Sequence, residues 1–262
     1  MIKYRKRFSQ NFLTDPNIAK KIVEVADIKS NFNIWEIGGG KGILTKYLLE
    51  KTSNLSVFEI DKELQKYLKK TFGDSITLFC GDFLSFDLEK VSNNKLVNIV
   101  ANIPYNITTP ILFKIVKNST FIKKAILMVQ KELAQRVCAK PNCKDYGKIS
   151  LKLQYYFKVK KLFNVKAHLF YPKPKVDSTV ICLEERMDKP RIKDNNLFWK
   201  IINISFAKRR KMLRSNLTSI LSKEEIILLE NSLQFSLSSR GESISEDEFL
   251  TIYKQILKLK NK

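Results

Sequence analysis

The chain has 262 residues, 44% of them apolar and 11% aromatic, which is ample for a core and excludes wholesale disorder. Lysine and arginine number 48 against 26 aspartates and glutamates, a formal charge of +22, so a polyanion is expected as partner and a neutral metabolite alone is a poor explanation. Four cysteines without C-x-x-C spacing and a single histidine favour neither a disulfide framework nor a metal site, and no run reaches the roughly 20 apolar residues of a membrane span. A cytoplasmic protein without metal is the expectation.

Residues 1–13 form a basic N-terminal arm, with Arg5 and Arg7 followed by Gln10-Asn11-Phe12-Leu13. Asp15-Pro16 reads as N-cap and first helical residue, and Ile18, Ile22, Val23 and Ala26 supply an apolar stripe at helical spacing. Short apolar runs then alternate with helical segments. Strands are predicted at 33–37, 55–60, 76–80, 97–101 and 124–129, and helices at 43–51, 62–72, 109–116 and 130–137. That alternation means βαβ units and a mostly parallel sheet covered on both faces.

After Tyr146 the rhythm changes. Residues 149–156 and 178–184 read as two more strands, joined by a Lys- and Pro-rich stretch from Lys158 to Lys175. Residues 186–196, with Pro190, look like a linker, and from Leu197 the pattern is helical, with Ser222 and Ser245 as caps before acidic first turns. The expected organisation is an α/β domain over 1–187 and a small all-helical domain over 188–262.

Four of the eight glycines are Gly38, Gly39, Gly40 and Gly42. They follow the apolar run Ile34 to Ile37 and precede a helix, where glycine lets the backbone approach a ligand. Glu59-Ile60 closes the next strand, placing a carboxylate where ribose hydroxyls are bound in dinucleotide-binding sheets. At a third strand end, Asp82 can accept an adenine amino group and Phe83 can flank its ring. Nicotinamide, flavin and S-adenosylmethionine enzymes all use such a turn, and Asp82 taken alone reads equally well as a turn aspartate. A phosphate-binding P-loop is excluded because Lys41 is followed by Gly42.

Asn102-Ile103-Pro104-Tyr105 at the fourth strand end is more specific. Methylating the exocyclic nitrogen of adenine requires its lone pair to leave conjugation with the ring. The Asn102 side-chain oxygen and the Ile103 carbonyl can hold the amino hydrogens for this purpose, Pro104 stiffens the turn, and Tyr105 offers a face for an unstacked base. Asn102 does not titrate and is no general base; positioning and electrostatics carry the catalysis.

With Gln10 to Leu13, Glu36 to Gly42, Glu59-Ile60-Asp61, Gly81-Asp82, Asn102 to Ile107, Val129 to Glu132, Phe170 to Ser178 and Phe206 to Lys211, the chain resembles the ribosomal RNA adenine dimethyltransferase family over nearly its whole length. Within it, the likeness is greatest to the bacterial enzymes that dimethylate two adjacent adenosines near the 3′ end of small-subunit RNA. The resemblance implies a Rossmann-like class I methyltransferase sheet of seven strands and S-adenosylmethionine as cofactor. The expected cofactor contacts are Gln10, Asn11, Leu13, Gly38, Gly40, Glu59, Ile60, Asp82, Phe83 and Asn102. One departure is Gly39, where the family often has proline.

Residues 195–222 hold six basic residues and no acid, and 152–175 hold seven lysines and no acid. Arg209, Arg210, Lys211 and Arg214 are therefore the expected RNA contacts, with Phe170 beside the target adenine. The expected partners are small-subunit ribosomal RNA and the pre-30S particle, met by a monomer. The competing readings are an erythromycin-resistance-type methylase of large-subunit RNA, an RNA-binding assembly factor without catalysis, and a DNA adenine methyltransferase. Residues 108–112 and 206–217 lean towards the small-subunit enzymes.

Overall fold

A computed structural model describes residues 10–29 and 32–260; the basic stretch with Arg5 and Arg7 lies outside them. After the two-residue strand β1 (Phe12–Leu13), the Asp15 carboxylate accepts hydrogen bonds from the amides of Asn17 and Ile18, which starts helix α1 (Pro16–Ala26) with proline in its first turn. Its predicted stripe is the buried face: Ala19, Ile22, Val23 and Ala26.

The chain then alternates through β2 (Asn33–Ile37), α2 (Ile43–Leu49), β3 (Leu55–Glu59), α3 (Lys62–Phe72), β4 (Thr77–Cys80), α4 (Leu88–Ser92), β5 (Val97–Asn102), α5 (Thr108–Lys117), β6 (Ile122–Gln130) and α6 (Lys131–Val137). The central strands β2, β3, β5 and β6 are almost wholly buried, as strands covered by helices on both faces must be.

The next segment corrects a sequence expectation. Residues 149–156 are not a strand but most of helix α7 (Lys148–Tyr156). Ile149, Leu151, Leu153 and Tyr155 alternate as a strand would, yet the buried Ser150 lies among them. Its hydroxyl accepts from the Gly147 amide at 3.0 Å and donates to the Arg136 carbonyl, so the first turn of a helix satisfies it. The strand comes directly afterwards, as β7 (Phe157–Val165), inside what the sequence reads as a connection. β7 forms one edge of the sheet, and its lysines 158, 160 and 161 hide the apolar alternation while blunting an exposed edge. β8 (Phe170–Tyr171) pairs antiparallel with β1, and β9 (Ser178–Glu185) returns between β6 and β7.

The seven-stranded sheet has the order β4-β3-β2-β5-β6-β9-β7. Only β9 runs against the rest, being antiparallel to both neighbours. From β2 the chain moves outward through β3 to β4, then returns to lay β5 on the other side of β2. The crevice beyond the carboxyl ends of β2 and β5 is thus a topological switch point, the usual ligand position in such sheets.

By contacts the chain forms two compact units. One takes the described residues up to Ala134 together with Tyr156–Arg186; the other takes Gln135–Tyr155 with the described residues from Met187 on. The second unit therefore includes a stretch that the sequence leaves in the first domain. It contains α8 (Asn195–Ser205), α9 (Leu213–Leu217), α10 (Lys223–Asn231) and α11 (Glu246–Lys260). Ser222 closes a capping box with Glu225, and Ser245 exchanges the same pair of contacts with Glu248. Phe198, Leu213, Leu217, Leu229, Phe249 and Ile252 are fully buried within it. Among the described residues, no helix is long and apolar enough to cross a membrane.

Candidate active site

β2 delivers the chain into Gly38 at φ 75° and Gly40 at φ 56°, left-handed backbone that side chains rarely adopt. A Cβ on Gly38 would stand 3.8 Å from both the Asn102 carbonyl oxygen and Pro104 Cδ, so the glycine turn and the end of β5 meet. Gly39 has a different reason to be small. A Cβ there would lie 2.5 Å from Val57 Cγ1 and 2.9 Å from Leu68 Cδ1. Glycine at this position is therefore matched to the packing of β3 and α3 beneath the turn.

Glu59, only 4% exposed at the end of β3, holds that turn in place. Its Oε2 accepts from the Gly40 amide and its Oε1 from the Asp61 amide, each at 2.9 Å. Burial pushes the carboxyl pKa up, and these backbone donors oppose the shift. Asp61 in turn caps α3 through the Glu63 amide and accepts from Gln10 Nε2 at 3.2 Å. Beneath lies Glu36, wholly buried, its Oε2 accepting from Thr45 Oγ1 at 2.6 Å. Burial raises its pKa to about 8, with a smaller push from the Glu59 charge.

Beyond β4, the Asp82 carboxylate accepts from the Leu84 amide at 2.9 Å, which shapes a single 3-10 turn over Phe83–Ser85. Phe83 packs edge-on against Phe58 with ring centroids 5.0 Å apart. From α5, Lys114 Nζ donates to the Leu84 and Phe86 carbonyls, both at 2.6 Å, and stands 5.8 Å from the Phe83 ring centre. The lysine thus ties down the turn that carries Asp82 and Phe83.

At the end of β5, Asn102 Nδ2 donates to the Asn11 carbonyl at 3.2 Å. This contact settles which end of the amide is which and turns Oδ1 away from that carbonyl as an acceptor. The Tyr105 and Ser178 hydroxyls share a hydrogen bond of 2.6 Å. Burial raises the Tyr105 pKa, so its ring serves as a neutral face.

These groups line one cleft of about 200 Å³. It brings together Gln10, Asn11, Gly38, Gly40, Glu59, Ile60, Asp82, Phe83 and Asn102 with Ile103, Pro104 and Tyr105. Two expected residues are elsewhere. Leu13 and Phe170 face each other across β1 and β8 and belong to the hydrophobic core, 4% and 3% exposed. Phe170 packs against Leu13 rather than lining the cleft, and its neighbour Tyr171 is 65% exposed. Arg209, Arg210, Lys211 and Arg214 all lie in the second unit. Arg209 is paired with Glu242 and Arg214 with Glu230, whereas Arg210 and Lys211 stand exposed.

The cleft also includes Phe12, Ile37, Phe58, Leu64 and Gly81, which the sequence did not assign to it. Apolar walls have the same signature as core, and only their position beside the three strand ends distinguishes them. Asn106 and Ile107 also line the cleft, and they continue the motif that begins at Asn102.

A family model described as ribosomal RNA adenine dimethylase matches residues 1–258. The chain is 39% identical over 260 residues to the ribosomal RNA small subunit methyltransferase A of Francisella tularensis subsp. novicida, covering 95% of this chain and 96% of that one. Among solved structures, a dimethyladenosine transferase from Plasmodium falciparum superposes with a TM-score of 0.79 at 26% identity, covering 94% and 98% of the two chains. The 23S rRNA methyltransferase ErmE shares the fold, with a TM-score of 0.72 at 22% identity over 94% and 99%. Read with the strand order and the cleft, these likenesses settle the family: the chain is a ribosomal RNA adenine dimethylase.

Proposed function

We propose that the chain transfers methyl groups from S-adenosylmethionine to the N6 atoms of two adjacent adenosines near the 3′ end of small-subunit ribosomal RNA, within a pre-30S particle. The observation that carries this reading is the pinned amide of Asn102. With Nδ2 held by Asn11, Oδ1 is oriented to accept from an adenine amine, and the glycine turn approaches the same strand end. The small-subunit assignment draws on the names of the relatives.

The cleft suits the donor. Among the described residues its lining offers Glu59 and Asp82 as carboxylates and no Lys, Arg or His, which favours a positively charged ligand. Glu59 is placed for the ribose hydroxyls, with Asp82 and Phe83 for the adenine. When bound, S-adenosylmethionine supplies an electrophilic methyl carbon on a sulfonium.

Asn102 Oδ1 and the Ile103 carbonyl hold the two amino hydrogens of the target adenine, while the Tyr105 ring stacks on its base. Held this way, the nitrogen directs its lone pair at the methyl carbon. With the methyl carbon supplied by the bound donor, the loop would keep the nitrogen in line for transfer, and the amine's extra proton would leave to water. No residue of the loop has to titrate. Arg210 and Lys211 supply RNA contacts, and the enzyme acts as a cytoplasmic monomer.

The test is incorporation of tritiated methyl groups into under-methylated 30S subunits, with primer extension to locate them. Two adjacent blocked adenosines near the 3′ end are expected. Modification of large-subunit RNA instead would favour the erythromycin-resistance-type reading, and no incorporation into either subunit would leave a binding factor without catalysis.

A further inference from the structure

Arg209 joins two basic segments that lie more than sixty positions apart in the chain. Its Nη2 donates to the Lys144 carbonyl and, at 3.5 Å, to the Tyr146 carbonyl, and pairs with the Glu242 carboxylate at 3.1 Å. The Glu242 backbone completes the tie, its carbonyl accepting from the Asn142 amide at 2.9 Å. Asn142 is left-handed, at φ 67°, so the loop turns sharply where it is held. All these residues belong to one compact unit.

The tie has two consequences for charge. A guanidinium whose Nη2 is committed to two carbonyls and to a carboxylate that offsets its charge is a weaker phosphate ligand than a free one, because the paired fork that grips a phosphate has lost one of its arms. It also fixes the loop of Lys140 and Lys144 beside the segment of Lys208, Arg210 and Lys211, and all five of these side chains are exposed. We propose that Lys140, Lys144, Lys208, Arg210 and Lys211 form one contact surface for the phosphate backbone of the RNA, with Arg209 as an internal clip that sets its spacing. Arg209 is thereby a positioning residue and not an RNA ligand. The inference rests on ribosomal RNA being the substrate, and it adds a loop that the sequence did not connect with RNA.

The experiment measures affinity for a transcript of the 3′-terminal hairpin of small-subunit RNA across a salt series. Each lost phosphate contact lowers the log–log slope by about 0.7 to 0.9. Lys140→Gln with Lys144→Gln should therefore flatten it by about 1.4 to 1.8. Lys254→Gln with Lys258→Gln, two exposed positions on α11, removes the same charge and should leave the slope at the wild-type value. An unchanged slope in the first pair, or an equal flattening in the second, overturns the surface.

The clip is read from a cycle. In an Arg209→Gln background the Lys140/Lys144 substitutions should lose more than half of their effect, because the loop is no longer held in place. Fully additive effects would make Arg209 an ordinary contact and overturn its role. Methylation of under-methylated 30S subunits by the unaltered enzyme reports separately on the substrate. If those subunits are methylated while the Lys140/Lys144 slope stays unchanged, only the surface fails.

Discussion

Replacing Glu59 by glutamine changes neither volume nor shape, yet it sets two requirements in conflict. Both carboxylate oxygens accept from backbone amides, Oε2 from Gly40 and Oε1 from Asp61, at 2.9 Å each. Whichever way the new amide turns, its NH2 faces one of those N–H donors. A hydrogen bond to a charged group contributes about 1.5 to 3 kcal/mol, or roughly 10- to 150-fold in affinity. Burial disfavours the charge at this position, so the neutral amide recovers part of the loss, and the lower end, about 10- to 30-fold, is the expected weakening. Calorimetry with S-adenosylhomocysteine, beside a thermal melt to show that the fold persists, measures it. Wild-type affinity should also fall on acidification, as Glu59 takes up a proton at a pH above its ordinary value, while the glutamine variant stays flat. A folded Glu59→Gln protein with wild-type affinity would refute the view that this carboxylate organises the glycine turn for the ligand.

Asn102→Ala and Tyr105→Ala should each lower methyl transfer by about 100-fold or more and leave RNA affinity nearly intact; a filter-binding assay beside methyl incorporation separates the two, and an active variant would contradict the base-holding scheme. Lys114→Met frees the Leu84 and Phe86 carbonyls and should raise KM for S-adenosylmethionine several-fold without moving KM for RNA, with Lys114→Arg intermediate; an equal rise in both constants would indicate general damage. For Glu36, the folded pKa of about 8 lies above the ordinary 4.5, so the folded state holds the extra proton between those values. Its contribution to stability is complete below about pH 4.5 and is lost as pH rises through about 8, at roughly 1.4 kcal/mol per pH unit. Glu36→Gln can keep the Thr45 bond without this loss. Denaturant unfolding from pH 5 to 9 should show wild type falling relative to the variant, and parallel curves would sink the assignment.

The parallel core was legible because strands and helices there obey one dominant rule each. β2 and α3 fall on their predicted limits, 33–37 and 62–72, since continuous burial and a clean apolar stripe leave little ambiguity. Residues 149–156 misled because a buried helix beside a core can show alternation by accident, and β7 because an edge strand carries its lysines outward. The cleft's polar residues, with Phe83 and Tyr105, were legible from the strand ends, whereas Phe12 and Phe58 in its wall were indistinguishable from core. Phe170 and Arg209 have partners that sequence conceals for a shared reason: a ring beside prolines and an arginine among cations both look available in sequence. Only the partner strand β1 in one case, and Glu242 in the other, reveals that they are engaged.

The side-chain amide of Asn102 takes its orientation from the Asn11 carbonyl, 91 positions earlier in the chain. Flipped end for end, the same side chain would point hydrogens at the hydrogens of an incoming purine and repel it. Directly after Asn11, the β1–β8 ladder staples the chain to Phe170 and Tyr171. An enzyme shortened past Asn11 would consequently lose the carbonyl that fixes this amide, leaving it free to rotate between a welcoming and a forbidding orientation above an unaltered central sheet.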